Sequence, residues 1–175
     1  KYNCIKKSFM VYYLPVKELL NMCGIVGYLG ANDAREIIMK GLHRLEYRGY
    51  DSAGIALLNN ADSSFNIYKD KGRVKHLESI TDFSYISHQG IGHTRWATHG
   101  VPNQVNSHPH SSQGSRFYIV HNGVIDNYIE LKGKYLEGYE FQSDTDTEVI
   151  AHLIELYSKK MSVREAISKT MSLLE

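Results

Sequence analysis

The sequence predicts an α+β domain. Short apolar runs closed by turn residues, which read as strands, sit beside segments whose apolar residues recur at helical spacing. The two kinds mix without the regular strand–helix–strand alternation that builds a doubly wound parallel sheet. With 175 residues the chain is long enough for one domain with a real core.

The elements follow in order. Cys23 to Leu29 is a short apolar run closed by Gly30, a strand. Asp33 can cap the next helix, whose apolar positions Ile37, Ile38, Leu42 and Leu45 fall at helical spacing. Ser52 to Leu58 reads as a strand, Asn59-Asn60-Ala61-Asp62 as a turn, and Phe65 to Tyr68 as the hairpin partner. Val74 to Ile80 is a short helix. Ile91 to Thr98 starts as a strand and runs into a polar loop that lasts through His110. Phe117 to His121 and Val124-Ile125 flank Asn122-Gly123, a dipeptide that between apolar runs signals a tight hairpin turn. Asp126 to Leu136 and Thr147 to Tyr157 read as helices, the second with Val149, Ile150, Leu153, Ile154 and Tyr157 in one stripe. A last helix runs from Val163 toward Leu173-Leu174. There is no internal repeat and no low-complexity segment.

Composition narrows the function classes. The formal charge is +1, with both signs interspersed, so nothing suggests a nucleic-acid footprint. The two cysteines, Cys4 and Cys23, make no disulfide framework and fit a reducing cytoplasm. No apolar stretch approaches the roughly 20 residues of a membrane helix.

The first residues imitate a signal peptide, with Lys6-Lys7 ahead of Phe9 to Leu14. Lys17 and Glu18 then interrupt the apolar run, and no small-residue cleavage site follows. Lys17-Glu18 can be encoded by the core of a bacterial ribosome-binding site, three codons before Met22. The expectation is that residues 1–22 are a mistranslated upstream segment or a removable propeptide, and that residues 23–175 are the domain, C-terminally incomplete.

The chemistry centres on Cys23. If Met22 is the initiator and is trimmed, Cys23 carries a free α-amine beside its thiol. Such an amine has a pKa of about 7.7–8.0, so one residue supplies both nucleophile and base. The plainer reading is a buried structural cysteine at the start of a strand. Hydrolysing an amide with a thiol further needs an oxyanion hole and a grip on the substrate. Asn122 and Gly123 could give a side-chain amide and a backbone N–H to the oxyanion. Arg95 could clamp a carboxylate bidentately, and Asp146 could pair with an ammonium. A cation clamp and an anion clamp together describe an amino-acid substrate. Each has an ordinary alternative: a surface salt bridge for Arg95, a helix N-cap for Asp146, a core aromatic for Trp96. Tyr47 to Ser52 can be only a helix-to-strand connection. His108-Pro109-His110, with no third ligand at fixed spacing, reads as loop rather than metal site.

Together the segments resemble a family. They are Cys23-Gly24-Ile25-Val26-Gly27-Tyr28, Leu45 to Gly54, Gly92 to Gly100, Asn106 to His110, His121-Asn122-Gly123 and Asp144 to Ile150. In this order they resemble the glutaminase domain of class II glutamine amidotransferases, which are N-terminal-nucleophile hydrolases. Among these the chain is similar to the isomerising glutamine–fructose-6-phosphate aminotransferases. The purine-pathway amidotransferases have Arg-Tyr-Ser-Thr where this chain has Arg95-Trp96-Ala97-Thr98. Asparagine synthetases have Arg-Gly-Pro-Asp where it has Arg48-Gly49-Tyr50-Asp51.

The resemblance implies a four-layer αββα sandwich and glutamine as nitrogen donor, with no cofactor and no metal. It puts Cys23 in the place of the nucleophile and Asn122 with Gly123 in the oxyanion hole. Arg95 falls where the glutamine α-carboxylate is held and Asp146 where the α-amine is held. Trp96, Thr98 and His99 fall in the loop that closes over glutamine, and Arg48 falls near the nucleophile. Fructose 6-phosphate is the implied acceptor, bound by a separate isomerase half, in a homodimer when full length, without nucleic acid or membrane. Two other readings stay open: a non-catalytic glutamine-binding module with Cys23 blocked, and a related amidotransferase with another acceptor.

Overall fold

The computed structural model describes residues 23–48, 51–82, 84–96 and 103–175. The mixture of elements is α+β. Strand β1 (Gly24–Leu29) leads into helix α1 (Ala34–Leu45) and a 3-10 turn (Glu46–Arg48), then β2 (Ser52–Leu58), β3 (Phe65–Lys71), α2 (Val74–Ile80) and β4 (Gln89–Arg95). After these come β5 (His110–Ser111), β6 (Tyr118–Ile119), α3 (Tyr128–Tyr135), α4 (Glu148–Ser158) and α5 (Val163–Met171).

The first four strands form one antiparallel sheet in the order β1-β4-β2-β3. Alternation divides its side chains between two faces. Ala53, Ile55 and Leu57 of β2, with Val26 and Tyr28 of β1, pack under α1 and α2 against Ala34, Ile38, Met39, Leu42, Val74 and Leu77. Helix α1 starts where Asp33 accepts from the Arg35 N–H at 3.1 Å, so the expected cap forms. Its buried stripe is Ala34, Ile38 and Leu42, with Arg35 and Met39 beside it. Ile37 and Leu45, expected in the stripe, are only half-buried. Each fully buried Ile or Leu here contributes roughly 1.5–3 kcal/mol.

The opposite face of the sheet meets the second half of the molecule. Phe65 of β3 packs on Tyr118 of β6, with ring centroids 4.6 Å apart. The ribbon β5–β6 lies in turn against α4, where a second apolar core gathers Ile125, Leu131, Leu136, Val149, Ile150, Leu153 and Ile154. The layers therefore run helix, sheet, ribbon, helix, the four-layer order. Between the two cores lies a buried polar layer that includes His93, Arg95, Asn106, His108, His110, Thr145, Asp146 and Glu148.

The ladders correct several expected boundaries. Strand β3 continues to Lys71, three residues beyond the expected end at Tyr68, because its whole length pairs with β2. Within the expected polar loop, His110–Ser111 pairs with Tyr118–Ile119. Phe117 to His121 yields only two strand residues, and Val124-Ile125 is not a strand. Asn122-Gly123 is accordingly no hairpin turn. Ser162 closes a capping box with Glu165 at the start of α5.

One glycine sets the spacing between the layers. A Cβ on Gly54 would lie 2.1 Å from the His108 carbonyl oxygen and 3.1 Å from that of Tyr68. Both obstacles are backbone and cannot swing aside. Gly54→Ala is therefore expected to destabilise the fold by more than about 2 kcal/mol. Urea denaturation checks this, and an unchanged midpoint would mean that the loop through His108 is free to lift.

Candidate active site

Cys23 immediately precedes β1, on the sheet's edge beside β4. Its Sγ accepts the Trp96 backbone N–H at 3.1 Å, and its thiol points back to the Trp96 carbonyl at 3.4 Å. Because β1 pairs with β4 from Gly24↔Thr94 onward, the end of β4 delivers Arg95 and Trp96 to the cysteine. Residues 91, 93 and 95 share the face turned away from α1, so His93 and Arg95 both point into the polar layer. Arg95 is buried. It is therefore not the surface salt-bridge residue of the ordinary reading.

The second half supplies Asn122. Its Nδ2 donates to the Cys23 carbonyl at 3.1 Å, a contact across 99 residues of chain, and its Oδ1 meets His93 Nε2 at 2.8 Å. Gly123 follows, with so little space that a Cβ would come within 2.8 Å of the His121 ring. His121 is tied in turn to Thr147 Oγ1 at 3.3 Å.

Asp146 fixes the other end of this loop. Its Oδ2 accepts the Ile125 N–H at 2.7 Å and its Oδ1 lies 3.4 Å from Thr147 Oγ1. The N-cap of α4 is Thr147, not Asp146, and the cap makes no side-chain hydrogen bond. The Asp146 carboxylate thus holds the Asn122–Ile125 loop rather than the helix end.

Trp96 is 40% exposed, so the core-aromatic reading fails. Arg48 ends the 3-10 turn. Thr98 and His99, Gly49 and Tyr50, and the leading segment 1–22 lie outside the described residues; β4 itself ends at Arg95, where the expected strand gives way to loop.

Several residues missed in the sequence hold these parts in place. Asn106 donates to Asp144 Oδ2 at 3.2 Å and accepts the Asp144 N–H at 2.9 Å, clamping the loop before β5 to the loop before α4. The rings of His93 and His108 lie 4.3 Å apart and those of His108 and His110 4.6 Å. His108 Nδ1 accepts the His121 N–H at 3.4 Å, and His110 Nε2 meets Thr145 Oγ1 at 3.0 Å. His93 lay within the Gly92 to Gly100 run, and strand alternation through Ile91, His93 and Arg95 is the signal that could have set its ring beside Arg95. Among the described residues no group of three or more His, Cys, Asp and Glu is placed to hold a metal ion.

Burial dominates the electrostatics of this layer. It lowers His93 to about 4 and His110 to about 3, and pushes His108 far below the usual imidazole range. The Lys69 amine, also desolvated, falls to about 8. Glu148 behaves differently. Burial raises it, but hydrogen bonds from His152, Ser143 and the Gln142 and Ser143 N–H groups outweigh that and hold it at about 2. The site is thus a cysteine whose backbone carbonyl holds a carboxamide, with a buried guanidinium and a buried carboxylate in the same polar layer, backed by neutral imidazoles.

Residues 81–166 match the family described as glutamine amidotransferase domain. The glutamine–fructose-6-phosphate aminotransferase (isomerizing) of Staphylococcus aureus is 57% identical over 155 residues, covering 87% of this chain and 26% of that protein. The protein of the same name from Listeria innocua is 57% identical over 153 residues, covering 87% of this chain and 25% of its own length. The chain thus spans about a quarter of these relatives. Among solved structures, glutamine phosphoribosylpyrophosphate amidotransferase from B. subtilis superposes with a TM-score of 0.71 at 30% identity, over 86% of this chain and 33% of that one. A structure described as the allosteric regulatory enzyme of purine biosynthesis gives 0.73 at 29% identity, with the same coverage. The α+β layers, the contact of Cys23 with Asn122 and these likenesses agree, and residues 81–166 of the chain carry a glutamine amidotransferase domain.

Proposed function

We propose that this domain hydrolyses glutamine with Cys23 as nucleophile and supplies the ammonia to a sugar-phosphate acceptor. The observation that carries the reading is the meeting of Cys23 with Trp96 and Asn122 from opposite halves of the fold. In the active form Cys23 is the first residue. Its α-amine takes the thiol proton, and the sulfur attacks the side-chain carbonyl carbon of glutamine. The negative charge that develops on the carbonyl oxygen falls to the Asn122 amide and the Gly123 N–H. A carboxamide carries two N–H groups. One of Asn122's is spent on the Cys23 carbonyl, which leaves the other for the oxyanion. The C–N bond then breaks, the departing nitrogen takes the proton from the α-amine, and ammonia leaves. Water cleaves the remaining thioester to give glutamate and the free thiol.

Arg95 takes the α-carboxylate of glutamine and Asp146 its α-ammonium. Trp96, Thr98 and His99 belong to the segment that covers the bound glutamine, and Arg48 stands near the nucleophile. The acceptor is fructose 6-phosphate and the product glucosamine 6-phosphate, formed on an isomerase half beyond this domain. Support comes from the 57% identity to aminotransferases of that name, against 30% to the phosphoribosylpyrophosphate enzyme. The full-length protein acts as a homodimer in the cytoplasm. Among the described residues no helix is long and apolar enough to cross a membrane.

The test is Cys23→Ala in the full-length enzyme beginning at residue 23. Ammonia release from glutamine is expected to vanish while glutamine still binds. Release at the parent rate would end the assignment of Cys23 as nucleophile.

The grip on substrate has its own test. Losing a charge-assisted hydrogen bond costs roughly 1.5–3 kcal/mol, so Arg95→Ala is expected to raise the glutamine KM about tenfold or more. For Asp146 the informative change is to asparagine, which keeps an oxygen for the Ile125 N–H but removes the charge. Asp146→Asn is expected to raise KM similarly with the fold intact. An unchanged KM in both variants would leave the two residues with structural roles only.

A further inference from the structure

We propose that His93 is a positioning residue for the oxyanion-hole amide, and that its Nε2–H sets which way the Asn122 carboxamide faces. The inference rests on the assignment of Asn122 as an oxyanion donor. The argument starts at the Cys23 carbonyl, which can only accept a hydrogen bond. The Asn122 atom 3.1 Å from it must therefore be the amide nitrogen. That leaves the amide oxygen facing His93 Nε2 at 2.8 Å. An amide oxygen only accepts, so Nε2 must carry the hydrogen. Reversing the carboxamide would set two oxygens against each other at the cysteine and point the amide oxygen at any oxyanion beside the thiol. The donor on His93 thus keeps an N–H, rather than a lone pair, directed toward the reacting side of Cys23.

The surroundings suit this role. His93 is 1% exposed, and its ring packs against the tilted His108 ring, with centroids 4.3 Å apart. It stands opposite Gly54 in the β2–β4 register, where the missing side chain admits the His108 segment. Among the described residues the hydrogen bonds of the Cys23 sulfur go to the Trp96 backbone and not to this ring. It acts through Asn122.

Four variants of the full-length enzyme beginning at Cys23 test the inference: His93→Met, His93→Gln, Asn122→Ala and the double variant His93→Met/Asn122→Ala. Methionine fills the space without a donor, whereas glutamine returns an N–H near the Nε2 position. The expected result is a fall of about 10–100-fold in kcat for His93→Met with the glutamine KM little changed, and recovery of most of the rate in His93→Gln. The double variant should be no slower than Asn122→Ala, since the histidine has nothing left to orient. If Asn122→Ala itself leaves kcat intact, the oxyanion assignment fails. If Asn122→Ala is slow but His93→Met is fast, or the two losses multiply, the positioning role fails alone. Nitrogen NMR of the unsubstituted enzyme needs no variant to fold. It should show the Nε2–H tautomer at His93, and the Nδ1–H tautomer would overturn the inference.

Discussion

A full-length protein that begins at Cys23 is expected to hydrolyse glutamine, and one that keeps residues 1–22 ahead of it is expected not to. With Met22 attached, the Cys23 nitrogen is a peptide nitrogen and has no lone pair to offer a proton. No other base touches the sulfur among the described residues. The hydrogen bonds there go to the backbone of Trp96, and a backbone N–H or carbonyl is not a base of useful strength. A positioned general base contributes about 10²–10⁴-fold, so the longer protein should fall by at least that factor. Ammonia release measures the rate, and mass spectrometry reports the first residue. Full activity with residues 1–22 intact would mean that the α-amine is not the base. Activity that appears only as the chain is cut before Cys23 would make the segment a propeptide rather than a misread start.

The second large effect is acid destabilisation that begins above the range where carboxylates titrate. His93 and His110 take up protons in the fold only near pH 4 and 3, and His108 lower still, whereas an unfolded chain protonates them near 6.5. Between those values the unfolded state binds more protons. Stability therefore falls as pH drops below about 6.5, by up to about 1.4 kcal/mol per pH unit for each histidine held neutral. Glu148 adds its loss at lower pH, between its unfolded value near 4.5 and about 2. With two or three histidines acting together, the loss reaches about 4–6 kcal/mol by pH 5, a large part of the stability of an ordinary domain. Urea midpoints at pH 7.5, 6.5 and 5.5 check this. A midpoint that holds steady to pH 5 would show that the imidazoles are charged or hydrated in the fold.

What the sequence disclosed followed the range of each interaction. Helix α1 was legible because Asp33, its cap, and Ile38 and Leu42, its buried face, act within a few turns of one another. The hairpin β2–β3 was legible for the same reason. Asn122-Gly123 misled, because its conformation answers to Cys23, His93 and Asp146 rather than to its neighbours in the chain. Helix α4 showed its apolar stripe but hid its other side. His152 and Glu155 are buried there because they accept the N–H groups of Gln113 and Gly114, at 3.1 and 3.0 Å, about forty positions away. The candidate residues could be named one by one, and the neutral histidine layer that holds them could not, since it exists only once two sheets face each other.

The separation of the two cores bears on synthesis. The first draws on residues 26–85 and the second on residues 117–174, so each is nearly a continuous stretch of chain. A growing polypeptide thus emerges with the Cys23 half able to pack before the Asn122 half has left the ribosome. The bond between Asn122 and Cys23 closes a loop of about a hundred residues, and no shorter nascent chain can make it. Cys23 is therefore in place early and its partner Asn122 late. The contact proposed to serve hydrolysis is thus a single late event in the birth of the molecule, made when the second core docks.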